Sequence, residues 1–171
     1  MPRLVVVVLL VVAVAWLGFR TVRAFDQDRH AAEAAAVLAA PDKVIRQLPP
    51  VPGEPSRPDI GPTGRLAYRP GTWLSVVDLQ GLEPVAGDER YLVFLRNWAG
   101  WTLAGAARPG PDGTGQVRSA AEPRPPTIYE VVVTRAVDDA TSVPHGQPVL
   151  HWFDASLAPP RARPFDFARG A

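Results

Sequence analysis

The chain contains no cysteine. That absence excludes disulfide bonds, thiolate zinc sites, iron–sulfur clusters, cysteine nucleophiles and a cysteine-borne lipid anchor, and it leaves the compartment open. Lysine is almost missing too, since Lys43 is the only one and every other basic residue is arginine. A surplus of one charge is also lacking: 18 basic residues stand against 17 acidic ones, for a net charge of +1. Without a positive field there is nothing to grip a phosphate backbone, so nucleic acid is not expected as a partner.

Of the 171 residues, 47% are hydrophobic and 20% charged, enough to bury a core. The 20 prolines and 14 glycines predict long irregular segments around it. The longest uncharged stretch is Leu4 to Phe19, LVVVVLLVVAVAWLGF. As a helix it would measure about 24 Å, short for a bilayer but extendable by Trp16 at the interface and by Arg3 and Arg20 reaching outward. It is read as a membrane anchor carried by Leu4, Val8, Val12, Trp16 and Phe19, within an N-terminal unit of residues 1–25. Val22-Arg23-Ala24 offers a cleavage site, but Arg20 and Arg23 lie where a signal peptide is usually uncharged, which favours an uncleaved anchor. Charge alone would place the C-terminal part inside, because Arg20, Arg23 and Arg29 follow the apolar run.

Beyond the anchor, residues 26–42 are alanine-rich, open with Asp26 and Asp28 and meet Pro41, which predicts a juxtamembrane helix or stalk. Pro49, Pro50, Pro52, Pro55, Pro58 and Pro62 then exclude both helix and central strand and mark a surface loop. On either side of it come short β-branched and aromatic runs: Val44–Leu48, Arg65–Tyr68, Trp73–Leu79, Arg90–Trp98, Trp101–Ala107, Thr127–Ala136 and Pro148–Phe153. This pattern predicts an all-β fold, an antiparallel, immunoglobulin-like β-sandwich over residues 43–154. In the Arg90 and Thr127 runs both alternating faces are apolar at the centre, as in strands covered on both sides. Residues 155–171, rich in proline and arginine, read as a loose tail, and Ser119 reads as a loop residue.

Chemistry is hard to find. Gly110, Gly113 and Gly115 have phosphate-loop spacing, but no Lys-Ser/Thr pair follows and no helix pattern opens there, so a hairpin turn is expected. Ser142, His145, His151 and Asp154 lie close in sequence without a nucleophile elbow. The same histidines with Asp138 and Asp139, and the pair His30 and Glu33, fit no common metal spacing. Trp16, Trp73, Trp98, Trp101 and Trp152 could supply a stacking platform, though packing is the commoner use of such residues. No catalytic residue, metal or cofactor is therefore expected.

Several stretches, in order, carry a resemblance. They are AAAVLAAPD (Ala34–Asp42), LQGLEPVAGDERYLVFL (Leu79–Leu95), the Gly105 segment with its Asp112-x-x-Gly115 turn, YEVVVTR (Tyr129–Arg135) and SVPHGQPVL (Ser142–Leu150). The series resembles the extracytoplasmic C-terminal domain of anti-sigma-K factors (RskA-type), bacterial single-pass membrane regulators. The matching positions are Ala39, Pro41, Asp42, Tyr91, Phe94, Gly105, Gly115, Thr134, Pro144 and Gly146. Phe94 stands where the family usually has tryptophan, and Arg135-Ala136 replaces its usual acidic residue.

Only Met1-Pro2-Arg3 precedes the apolar run, so the family's cytoplasmic sigma-binding domain is not expected in this chain. The resemblance implies a cell-membrane protein whose C-terminal domain lies outside the cytoplasm and acts by protein–protein contact. A membrane regulator or a component of a sigma-factor system is the expected partner. The alternative is a structural cell-envelope module that binds wall polymer or protein through the proline-rich loop or through Trp98 and Trp101.

Overall fold

The computed structural model describes residues 31–51, 61–69, 72, 74–119, 128–137 and 141–167. The anchor residues Leu4, Val8, Val12, Trp16 and Phe19 lie outside them, as do His30, Trp73, Asp138 and Asp139. No helix among the described residues is long and apolar enough to cross a membrane.

Among the described residues, eight strands form two four-stranded antiparallel sheets. The first sheet has the order β1 (Val44–Leu48), β2 (Thr63–Tyr68), β3 (Ser75–Gln80), β6 (Gly115–Ser119). The second has the order β5 (Gly100–Ala107), β4 (Arg90–Asn97), β7 (Glu130–Ala136), β8 (Gln147–Phe153). Their inner faces meet through Leu66, Val77, Leu79, Val93, Leu95, Val131 and Val133, each at most 1% exposed. Complete burial of one such aliphatic side chain contributes about 1.5–3 kcal/mol, so this layer dominates the stability of the fold.

Both seams between the sheets are fastened. Along one, Pro50 bridges Leu150, Val51 N–H donates to the Val149 carbonyl at 2.9 Å and His151 N–H donates to Pro49 at 3.0 Å. The start of the proline-rich loop thus ties β1 to β8, and Pro49 acts as an acceptor where it has no N–H to give. Along the other, β5 passes into β6 of the opposite sheet, so the turn between them is not the expected hairpin but a crossing between sheets, and its N–H groups are used internally. Gly110 donates to Thr114 at 2.8 Å, Gly113 to Gly110 at 2.9 Å, and Thr114 to the Asp112 carboxylate at 3.1 Å. No donor of that set is left to cradle a phosphate, and the glycine cluster is a turn.

The outer faces are covered as well. A helix, α1 (residues 31–39), packs Ala34, Val37 and Leu38 against Leu74 and Val76 of the first sheet. The i, i+3, i+4 spacing of these three makes the apolar stripe, and Pro41 follows in a turn closed by Lys43 N–H on the Ala40 carbonyl. The segment expected as a helix or stalk is therefore part of the sandwich. The tail expected to be loose also differs: residues 154–167 turn back over the outer face of the second sheet. Leu92 and Phe94 are fully buried although they point away from the central core, with the His145 ring of the β7–β8 loop against Phe94.

Candidate functional site

One fully buried carboxylate stands out among the described residues. Glu130 opens β7 on the outer face, directly across from Arg96 of β4 and diagonal to His151 of β8, which pairs with Val132. Cross-strand and diagonal neighbours on one face are within side-chain reach, so the pairing register alone brings these three together. Arg96 Nη1 donates to Glu130 Oε2 at 2.9 Å, and His151 Nε2 lies 2.9 Å from Oε1. The third partner is the tail, whose Phe165 N–H donates to Oε1 at 2.5 Å.

Aromatic rings wall this cluster. The Arg96 guanidinium lies 5.1 Å from the Trp101 ring and 5.6 Å from Tyr129, within range for cation–π attraction. Phe165 meets Trp101 edge-on at 5.6 Å, and Phe167 meets His151 at 5.0 Å. Further back along the tail, Arg163 offers its carbonyl to Arg96 at 3.2 Å and Leu157 accepts from Trp98 Nε1 at 2.9 Å. Asp154 starts the turn by accepting from the Ser156 amide and hydroxyl, and the hydroxyl bond holds its carboxyl below the usual range. The arrangement sets one buried carboxylate against a main-chain donor of the tail, with aromatic rings on either side.

The four residues considered for hydrolysis go to different places. His145 Nδ1 sits 2.8 Å from Thr141 Oγ1 and 3.1 Å from the Val143 carbonyl, with its ring against Phe94, whereas His151 turns to Glu130 and Asp154 to Ser156. Ser142 is exposed in the β7–β8 loop. Among the described residues no three His, Asp or Glu side chains gather as a metal site. The described tryptophans form no common platform: Trp101 is partly covered by Phe165, Trp98 is 71% exposed on the β4–β5 turn, and Trp152 packs beside the central core near Arg46.

The positions that carry the resemblance have structural roles. Tyr91 faces the central core with its hydroxyl donating to the Glu83 carbonyl at 3.0 Å, and burial pushes that phenol above its ordinary range. Ala39 ends α1, Pro41 starts the next turn, and Asp42 accepts from Arg69 at 3.0 Å, which holds its carboxyl low. Gly115 leads into β6 with Ala107 close by, Pro144 is buried, and Thr134 is buried with no partner for Oγ1 among the described residues. Arg135 finds its counter-charges across the loop. Its Nη2 lies 2.6 Å from Glu89 and Nη1 lies 3.6 Å from Glu83. The Glu89 hydrogen bond raises the arginine and lowers the carboxyl in turn.

At two of the described glycines an added side chain would be both strained and crowded. Gly105 (φ +154°) sits at the β-bulge between β4 and β5, where a Cβ would come 2.9 Å from Val117. Gly146 (φ +80°) turns into β8, and a Cβ there would lie 2.5 Å from the Arg135 carbonyl oxygen and 2.8 Å from the Ala136 Cβ. Gly146→Ala is expected to destabilise by about 2–4 kcal/mol, combining left-handed backbone strain with a backbone collision. Gly87→Ala, at φ +57° with open space around it, carries the strain alone and should cost about 1–2 kcal/mol. Thermal unfolding of the two variants measures the difference.

The polar half of the first sheet's outer face is self-satisfied. Asp78 accepts from Arg65 at 2.8 Å and Gln116 at 2.7 Å, beside a depression of about 210 Å³ lined by Gln47, Thr63, Gly64, Arg65, Asp78 and Gln80. No protein-family model, curated protein or solved structure matches the chain.

Proposed function

We propose that this chain is a membrane-anchored, extracytoplasmic β-sandwich that acts by protein–protein contact and not by catalysis, related to the sensory half of anti-sigma-K regulators. The observation that carries the reading is the seating of α1. The described part of this helix lies directly on the first sheet through Ala34, Val37 and Val76, and Ala34 follows Phe19, the last residue of the apolar run, by fifteen positions. A sandwich tethered so closely transmits a change in its sheets to the anchor, which a swinging stalk would not do. Binding of a partner to one state of the domain then shifts what the anchor presents to a neighbour or a protease.

The strand order supports an immunoglobulin-like assignment. With β2 to β8 taken as strands A, B, C, C′, E, F and G, the pairings A–B–E and C′–C–F–G follow, and β1 is added outside A. The exposed Trp98 favours the second reading, a structural envelope module with a wall or protein ligand.

Topology tests the proposal first. Ser119, expected in a loop, is the last residue of β6 and 5% exposed, so it is unsuitable as a labelling site. Ser142→Cys places the only thiol of the protein on an exposed loop. A membrane-impermeant maleimide is expected to label it in intact cells; labelling only after lysis would put the domain in the cytoplasm and end the sensory reading.

A further inference from the structure

The tail and the sheet beneath it are buried to very different degrees. Glu130 and Val132 are fully buried, yet no residue from Asp154 to Phe167 is, and Arg161, Arg163, Pro164 and Asp166 are exposed. Little apolar area therefore holds the tail down, and segments of this kind open locally long before the strands they cover.

What opening leaves behind is also prepared. When Phe165 departs, Glu130 keeps Arg96 and His151, so the carboxylate remains paired and only one acceptor site passes to water. Recognition of the tail uses a backbone N–H, which any non-proline residue supplies, and two rings at alternate positions, Phe165 on Trp101 and Phe167 on His151. Alternate positions of an extended chain point the same way, and Asp166 between them is exposed.

We infer that the outer face of the second sheet at Trp101, Glu130 and His151 is a docking surface for an extended segment with aromatic residues at alternate positions, and that residues 163–167 occupy it as a displaceable internal ligand. The partner is a polypeptide of that chemistry, and the tail keeps the surface closed until the partner competes it away. This deepens the contact-module reading and rests on it.

The test uses a fluorescent synthetic peptide of residues 158–167 and the full-length chain in detergent micelles. The receptor is the Phe165→Ala/Phe167→Ala variant, whose own tail no longer supplies the rings. The peptide is expected to bind this variant at least tenfold more tightly than the unmodified chain, where the attached tail competes at an effective concentration of about millimolar. A control peptide with both phenylalanines replaced by alanine should not bind either. No binding to a folded variant, or equal binding to both chains, overturns the inference.

If the variant does not fold, hydrogen exchange on the unmodified chain decides. The Phe165 amide is expected to exchange at least about 100-fold faster than that of Val132 in β7. Equal protection of the two would show a tail fixed as part of the core and would overturn the inference. The maleimide result is independent: peptide binding together with cytoplasmic labelling keeps the surface and discards the envelope role.

Discussion

Arg96→Ala is expected to destabilise the fold by about 3–5 kcal/mol, because it leaves a carboxylate with no exposed surface facing the removal of its permanent counter-charge. His151 and the Phe165 amide remain as hydrogen-bond partners, but the amide carries no charge to replace that of the guanidinium. The loss should fall largely on Glu130. In an Arg96→Ala background, Glu130→Gln removes the stranded charge while keeping most of the volume, so the double variant should be more stable than Arg96→Ala alone. Additive losses in that double-mutant cycle would show that the pair is not coupled. The lost arginine also releases the Arg163 carbonyl and the cation–π contact with Trp101, so the tail should open more easily in the same variant.

That cluster was only partly legible in the sequence. The alternation of Tyr91, Val93 and Leu95 against Leu92, Phe94 and Arg96 is the one the strand adopts, inner face against outer. Apolar residues on both faces announced that something covers the outside. The sequence pattern did not say what, because Phe165 and Phe167 sit among prolines and arginines with no strand or helix periodicity. A lone glutamate before three valines was the available signal for Glu130. It becomes informative only once the register sets Arg96 opposite it. β6 was missed for a related reason: in GQVRS a single inward residue, Val117, carries the whole apolar signal, and the preceding glycines mark the turn. The helix was foreseen but not its seat, since an alanine-rich stretch packs through a narrow stripe that looks the same against solvent or sheet. The strands around the central core were read closely because each carries several β-branched or aromatic residues between turn signals.

Phe94→Ala tests whether the second outer face is sealed as tightly as the burial implies. In a sandwich with a solvated exterior an outward residue is replaced at little cost, usually within about 0.5 kcal/mol. Phe94 points outward but has no exposed surface, packing with Leu92, Ala136, Trp101 and Leu103 and meeting the His145 ring at 5.7 Å. Its truncation should therefore behave like a core deletion and cost about 3–5 kcal/mol, comparable to Leu95→Ala on the inner face at about 2–5 kcal/mol. Denaturant unfolding of the two variants makes the comparison. A loss below about 1 kcal/mol for Phe94→Ala would mean that the β7–β8 loop and neighbouring rings do not close this face. A core-like loss has a consequence for the docking surface. The part of the sheet around Phe94 would then be held shut by His145 and its loop, so that displacement of residues 163–167 uncovers Trp101, Glu130 and His151 while Leu92 and Phe94 stay covered. A partner would meet a narrow, charged and aromatic strip, which favours a defined extended segment over nonspecific apolar association.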